Sequence, residues 1–261
     1  MSVVAYLVRH SEVEHHRADV GLTPRGRALA QAAGTALYDR LADGDLVYVQ
    51  HAPVTRVQET ADLLYSAMAS ALRMAGRESR IHLYPPQPDP GLRNVRFIVE
   101  PGQEPQEPTL AFARINSPGY LESLLPARAT FFRGFWASPD RLGFWLTHDS
   151  AGAAETTDEV WARLRNWLQS KFADHAGAGS SSSGAGCVHW IGVTHSGGMR
   201  VVLRRALGFD PGEPDDCEAI IVEPSGETDR LVIAYRGQGA RLALYTGRTP
   251  NSGVEASAQC H

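Results

Sequence analysis

Four side chains of this 261-residue sequence have the chemistry needed to bind and transfer a phosphoryl group: Arg9, His10, Arg56 and His195. Guanidinium groups bind the oxygens of a dianion through paired, charge-assisted hydrogen bonds. A neutral imidazole can attack phosphorus and form a phosphohistidine, which divides one difficult reaction into two easier steps. The other imidazole and the arginines would stabilise charge on the phosphoryl oxygens in the transition state. These residue types predict phosphoryl transfer without a metal, provided that the fold brings them together.

Arg9, His10 and His195 each lie at the end of a short apolar run with the length of a β-strand. Arg56 lies in the first turn of the predicted helix that follows such a run. The runs are Val3–Val8, Leu46–Val49 and Cys187–Val193, followed by Arg9-His10, Gln50-His51 and Thr194-His195. Ligands of parallel α/β sheets bind beyond the carboxyl ends of the strands, so we expect the three ends to form one site. Helices that begin after Ala52 and Gly197 would add N–H donors and positive dipole ends. We expect few acidic groups in such a site.

The order of apolar patterns predicts an α/β fold with a mostly parallel central sheet and helices on both faces. Further strands are predicted at 81–84, 219–222, 231–235 and 242–245, and helices at Pro24, at Pro53 and over 155–175 and 198–207. The proline-rich and aromatic segment 95–150 predicts an inserted cap of short helices and loops. Segment 176–186 (AGAGSSSSGAG) predicts a flexible surface loop. We interpret residues 1–261 as one domain.

The charge and composition of the chain argue against several classes of binding partner. The formal net charge is −4, which argues against binding to nucleic acid or to an anionic membrane. The chain lacks an apolar stretch of the roughly 20 residues that span a membrane, and its amino-terminal run is shorter than a signal peptide. Three scattered cysteines do not form a disulfide framework. We expect a cytoplasmic protein whose partner is a small phosphorylated molecule, and we leave a homodimer open.

Four segments resemble, in order, the motifs of the histidine phosphatase superfamily, in its phosphoglycerate mutase-like branch. They are Leu7–Glu12 (LVRHSE), Leu22–Gly26 (LTPRG), His51–Ala61 (HAPVTRVQETA) and Val193–Arg200 (VTHSGGMR). The resemblance implies a three-layer α/β fold and a reaction that needs no cofactor. It assigns His10 as the nucleophile, Arg9 and Arg56 as phosphate ligands, and His195 as the second histidine of the pocket. It also places the backbone at Ser196 and Gly197 against the phosphate.

The sequence departs from this family at three positions. Serines Ser11 and Ser196 follow the two histidines where the family has glycine, so their hydroxyls could contact the phosphate or narrow the pocket. Asn94 occupies the place of the glutamate that serves as general acid, and an amide cannot donate a proton on demand. It is therefore expected to contact substrate only.

Three acids are candidates for the missing proton donor. We expect Glu100 or Asp89 to take this role. Glu155 is the third, although an acid that begins the next helix is an equally good interpretation.

The leading hypothesis is a metal-independent phosphatase that hydrolyses a small phosphorylated metabolite through a phosphohistidine on His10. A phosphomutase of the same family is one alternative. A phospholigand-binding protein with impaired catalysis is another, because Asn94 replaces the acid. Residues His10, Glu12, Glu14, His15 and His16 could also hold zinc, but their spacing fits no standard pattern and the flanking arginines would repel a cation.

Overall fold

Seven strands form one mixed sheet within the described residues of the computed structural model, which are 2–100, 102–176, 186–227 and 230–244. The strands are β1 (Val3–Arg9), β2 (Leu46–His51), β3 (His82–Pro88), β4 (Val188–Thr194), β5 (Ala219–Pro224), β6 (Arg230–Tyr235) and β7 (Gln238–Ala243). Their order across the sheet is β3-β2-β4-β1-β5-β6-β7. The first four in this order are parallel, and β5, β6 and β7 continue the sheet antiparallel.

The helices alternate with the parallel strands and then cluster in the cap. They are α1 (Pro24–Tyr38), α2 (Thr55–Met74), α3 (Pro108–Ile115), α4 (Tyr120–Ser123), α5 (Pro126–Ala137), α6 (Arg141–Thr147), α7 (Thr157–Ala176) and α8 (Ser196–Leu207). The side chain of Thr23 accepts a hydrogen bond from the N–H of Gly26 at 2.9 Å, which caps α1 just before Pro24. The predicted α/β fold with a mostly parallel central sheet and helices on both faces is confirmed.

The register of the parallel strands β1, β4 and β2 places the ends that carry the predicted site residues side by side. In β1, residues Val3–Val8 are all buried, as expected of a strand covered on both faces. Strand β4 lies between β1 and β2, so that Arg9 is paired with Thr194 and His51 with Val193. The carboxyl ends of β1, β2 and β4 therefore lie side by side, as predicted.

The segment between β3 and α7 is a cap of short helices, also as predicted. Its centre is Phe97, which is fully buried and packs edge-on against Phe132 at 5.5 Å and Phe135 at 4.9 Å between ring centroids. Most of the cap aromatics thus stabilise the cap itself.

The predicted flexible loop 176–186 lies largely outside the described residues, so that prediction is left as it stands. Within the described ranges, we find no helix that is both long and apolar enough to cross a membrane.

Candidate active site

A cavity of about 340 Å³ lies at the carboxyl ends of β1, β2 and β4. Its lining includes all four residues on which the phosphoryl-transfer prediction rests: Arg9, His10, Arg56 and His195. The predicted contacts Asn94 and Ser196 also line it. The cap supplies the opposite wall, principally through Phe135, Trp136 and the turn from Pro139 to Leu142. The volume suits a small ligand.

His10 is buried and held in one orientation. Its Nδ1 lies 2.8 Å from the carbonyl oxygen of Ser11, and since a carbonyl can only accept, Nδ1 donates and therefore carries the proton. Nε2 is left with its lone pair. Burial, together with the neighbouring His195 and the positive charge of Arg56, holds the pKa of His10 well below its usual value. The imidazole is therefore neutral near pH 7 and has the protonation state of a nucleophile.

His195 lies beside His10, with 5.2 Å between the ring centroids. The Nη2 of Arg56 is 3.3 Å from Nδ1 of His195. Because a guanidinium only donates, Nδ1 accepts and Nε2 carries the proton. That Nε2 is buried and makes no hydrogen bond to any described residue. Burial lowers the pKa of His195, so this imidazole is a neutral donor that an oxygen of a ligand could satisfy.

Glu107 is a site residue that the sequence analysis missed. The residue is only 4% exposed, and its carboxylate lies 3.2 Å from Nη2 of Arg56 and 3.5 Å from Nε2 of His195. The backbone N–H of Asn94 donates to it at 3.3 Å. Burial alone would raise the pKa of Glu107, but His195 and Arg56 outweigh burial and lower the pKa to about 2. Glu107 is therefore an anion in the free protein.

Both predicted phosphate ligands already have carboxylate partners. Arg9 pairs with Glu213 at 3.0 Å and with Asp216 at 3.4 Å. Arg56, in addition to Glu107, pairs with Asp19 at 3.3 Å. The expectation that the site contains few acids is therefore wrong. Glu107, Glu213 and Asp216 lie outside the motifs, and Asp19 lies between the first two, which is why the motifs alone gave no sign of these acids.

Arg200 connects the cap to the strand ends. Its side chain is 1% exposed, and Nη1 lies 2.6 Å from Oδ1 of Asp140 in the cap turn. It also pairs with Asp210, and with Glu213 at 3.6 Å. Since Glu213 contacts Arg9, one buried guanidinium orders both the cap turn and the carboxylate that holds a predicted phosphate ligand.

Four predicted site residues are absent from the cavity lining: Ser11, Asp89, Glu100 and Gly197. The hydroxyl of Ser11 donates to the carbonyl of Gly26 at 2.7 Å, so it joins β1 to α1 and does not line the cavity. Asp89 caps a 3₁₀ turn by accepting from the N–H of Gly91 at 2.8 Å. Glu100 is exposed and pairs with Arg114 at 2.9 Å. The geometry therefore does not support Asp89 or Glu100 as proton donors, because local hydrogen bonds and ion pairs engage both carboxylates away from the cavity.

Glu155 does not begin a helix, contrary to one interpretation of the sequence. It is buried two residues before α7 and binds Arg96 at 2.6 Å and Arg163 at 3.0 Å. The acids in the first turn of α7 are Asp158 and Glu159. Glu155 thus anchors the segment that follows β3.

The first turn of α8 packs tightly against Asn94. A Cβ atom on Gly197 would lie 2.7 Å from Oδ1 of Asn94 and 3.2 Å from the side chain of Leu142. The same Oδ1 accepts from the N–H of Val95 at 2.9 Å. Glycine is therefore needed at 197 for Asn94 to lie beside the helix terminus. Contacts of these residues with substrate are still a prediction.

His16 lies at the mouth of the cavity, with its ring centroid 6.0 Å from that of His10. Desolvation and the positive charges of Arg56 and Arg9 lower its pKa to about 4. Across the described residues, the structure brings no three His, Cys, Asp or Glu side chains close enough to hold a metal ion.

The amino-terminal part of the chain matches the model of one known family. Residues 5–107 match the family model of the histidine phosphatase superfamily (branch 1), which confirms the resemblance. The comparison with curated protein sequences found no match.

Solved structures with the same fold include enzymes of two activities. A phosphoglycerate mutase from Bacillus anthracis aligns with a TM-score of 0.55 and 16% identity over 90% of this chain and 93% of its own. A mycobacterial glucosyl-3-phosphoglycerate phosphatase, solved with inorganic phosphate, aligns with a TM-score of 0.54 and 18% identity over 90% and 97%. A protein described as mycobacterial hydrolase 1 gives 0.53 and 18% over 91% and 99%. At these identities the likeness shows the phosphoglycerate mutase-like fold.

Proposed function

We propose that this chain, with its histidine phosphatase superfamily segment and phosphoglycerate mutase-like fold, is a metal-independent phosphatase of small phosphorylated metabolites. The protonation state of His10 carries the proposal. A histidine that attacks phosphorus must be neutral and must have a lone pair on the attacking nitrogen. His10 meets both conditions, because Nδ1 carries the proton and Nε2 keeps its lone pair.

The reaction has two displacements at phosphorus. In the first, Nε2 of His10 forms the N–P bond while the bond from phosphorus to the ester oxygen breaks, and the released alkoxide takes a proton from solvent water. In the second, water attacks the phosphohistidine, the N–P bond breaks, and inorganic phosphate leaves with His10 restored. Arg9, Arg56 and the Nε2–H of His195 stabilise the phosphoryl oxygens in both steps.

Protonation of the leaving group is the step that the residues of this site support least. Asn94 cannot supply a proton, and Glu107 is ionised in the free protein. We therefore expect esters with good leaving groups, such as aryl phosphates, to react faster than alkyl phosphates. Replacement of Asn94 by glutamate should reduce this difference.

A phospholigand-binding protein with impaired catalysis is the second candidate. Two observations favour it: Asn94 stands where a proton donor is expected, and both phosphate-binding arginines are already neutralised by carboxylates. Both candidates use the same cavity, so turnover separates them.

The decisive experiment measures phosphate release and covalent phosphorylation together. Wild type, His10→Ala and the control His82→Ala, whose histidine is exposed, are each treated with an aryl phosphate, sugar phosphates and nucleotides, with and without chelator. We expect chelator-resistant release and an acid-labile phosphoenzyme in wild type and in the control, but neither in His10→Ala.

Other results would contradict the proposal in distinct ways. Binding of phosphate compounds without release favours the binding protein. Isomerisation of a phosphate ester without net release would identify a mutase. Loss of activity in chelator would argue against the metal-free reaction.

A further inference from the structure

We propose that a second cavity, here called the outer cavity, binds an amphipathic anion, that is, a small molecule with one anionic headgroup and an aliphatic chain. The outer cavity measures about 690 Å³, and its lining includes Arg93, Arg96 and Leu110. The two arginines would bind the headgroup, and Leu110 would contact the chain. The proposal does not depend on the proposed function, because it concerns a different cavity.

The start of α3 separates the outer cavity from the cavity around His10. Pro108 and Thr109 line the cavity around His10, whereas Glu107 and Leu110 line the outer cavity. Among the described residues, the two linings have no member in common. A ligand in the outer cavity would therefore leave the predicted phosphoryl-binding residues free.

Arg93 is a half-buried arginine without a counter-ion. Its side chain forms no hydrogen bond or ion pair with any residue that the structure describes. Its backbone is fixed, because the carbonyl oxygen of Arg93 accepts a hydrogen bond from Nη1 of Arg163 at 2.6 Å. A guanidinium that is partly removed from water can therefore gain a charge-assisted hydrogen bond from an anion, and no existing ion pair has to break.

Positive charge exceeds negative charge beside Arg93. One carboxylate, that of Glu155, pairs both with Arg96 at 2.6 Å and with Arg163 at 3.0 Å. Nε of Arg96 is buried and forms no hydrogen bond with the described residues. Two guanidinium groups thus share a single carboxylate, and a third, that of Arg93, has none. An anion bound here would supply the missing negative charge.

The two acids of the outer cavity do not neutralise its arginines. Glu107 is already paired with Arg56 at 3.2 Å. Glu104 is exposed and forms no ion pair within the described part of the chain. Glu104 should therefore repel an anionic headgroup weakly through water. Its removal gives a test in which the expected change has the opposite sign.

Another part of the outer cavity is apolar. Leu110 is 53% exposed, although it is a large aliphatic side chain. Pro53, Val54 and Pro105 line the cavity with it. An aliphatic chain that covers Leu110 would remove apolar surface of both partners from water, which favours binding. The ligand that matches the whole lining therefore combines an anionic group with an aliphatic chain.

Five simple compounds test the two halves of this ligand. Octanoate and octane-1-sulfonate carry a planar and a tetrahedral headgroup on the same chain, and neither has a phosphate ester that could be hydrolysed. Octan-1-ol lacks the charge, and acetate and methanesulfonate lack the chain. Binding to the full-length protein is measured by calorimetry. We expect octanoate or octane-1-sulfonate to bind about tenfold tighter or better than octan-1-ol and than the chainless anion with the same headgroup. The tighter of the two identifies the geometry of the headgroup.

Variants locate the binding site. Arg93→Gln and Leu110→Gln should each weaken binding of the preferred compound by about fivefold or more, and Glu104→Gln should strengthen it about twofold. Arg133→Gln is the matched control and should change nothing, since Arg133 is an exposed cap arginine whose partner is Glu122 at 3.5 Å. Thermal unfolding of each variant checks that it is folded, and the two weakening variants alter different parts of the lining.

Arg9→Gln distinguishes the two cavities, because Arg9 lines only the cavity around His10. It should weaken binding of inorganic phosphate and leave the affinity for the preferred compound unchanged. Weaker binding of that compound in Arg9→Gln, or unchanged binding in Arg93→Gln, would overturn the proposal. Equal affinity for octan-1-ol, or no binding of either long-chain anion, would also overturn it. Absence of phosphate release would count against the phosphatase alone.

Discussion

The carboxylate of Glu107 lies 3.2 Å from the guanidinium of Arg56. Arg56, which is expected to bind phosphate, is therefore already paired with an anion of the protein itself. The same carboxylate lies 3.5 Å from Nε2 of His195, which forms no hydrogen bond with the described residues. An incoming phosphoryl group needs both donors. It must therefore displace Glu107, share the donors with it, or cause it to take up a proton.

Glu107→Gln should increase the affinity for inorganic phosphate by about tenfold, because it removes a negative charge next to the bound dianion. The same variant should unfold at a lower temperature without ligand, since Arg56 loses a buried partner. Calorimetric titration and thermal unfolding check the two effects. Glu104→Gln, an exposed acid of the same segment, is the control. Weaker phosphate binding in Glu107→Gln would show that the carboxylate orients Arg56 and does not compete with the ligand.

Stability should fall as the pH is lowered below about 6.5. His10 and His195 have lowered pKa values in the folded protein, so the unfolded chain, with ordinary histidines near 6.5, binds more protons in this range. Each buried histidine then contributes a slope of up to about 1.4 kcal/mol per pH unit, which acts between 6.5 and its folded pKa. Urea unfolding from pH 8 to pH 5 measures it. His195→Gln should reduce the slope, and an equal slope in both proteins would contradict the assignment.

Two arginines of α8 provide a matched comparison of buried and exposed ion pairs. Arg200→Met should destabilise the protein by about 2–3 kcal/mol. The cost is below that of a fully enclosed pair because its partner Asp140 is 53% exposed. Arg205→Met should cost less than about 1 kcal/mol, since the partner of Arg205, Asp158, is 84% exposed. Denaturant unfolding gives both values, and equal losses would mean that Arg200 does not secure the cap.

Gly197→Ala should weaken phosphate binding and cost about 1–3 kcal/mol of stability. The added methyl group would lie 2.7 Å from Oδ1 of Asn94 and would push that side chain or the first turn of α8. Gly239→Ala is the control, because nothing lies within 4 Å of the corresponding position. Phosphate titration and thermal unfolding of both variants test this, and unchanged binding in Gly197→Ala would place the phosphate away from this turn.

The strand ends could be predicted because their signals are local and strong. An apolar run followed by Arg9-His10, and a threonine cap followed by proline as the first residue of α1, each specify one element without help from the rest of the chain. Strand β3 was harder to delimit, since it contains Pro85, Pro86 and Pro88. Proline is tolerated there because β3 is the edge of the sheet.

The acids of the site could not be predicted in the same way. Glu107 lies in a segment without periodicity, and its only local signal is its position before Pro108 at the start of α3. Its contacts with Arg56 and His195 span 51 and 88 residues, so they depend on how the cap folds over the sheet. Asp89 and Glu100 were expected in the site as substitutes for the proton donor that Asn94 replaces, but local hydrogen bonding engages both carboxylates elsewhere.

The pairing of Arg200 with Asp140 has a consequence for the exchange of caps between relatives. A foreign cap grafted onto this sheet would bring its own pocket wall, yet it would also remove a carboxylate from a guanidinium that is 1% exposed. Swaps that retain an acid at the position of Asp140 should give folded chimaeras, whereas swaps that omit it leave a buried charge one partner short. We therefore expect a grafted cap to change specificity without loss of folding only when it supplies an acid that pairs with Arg200.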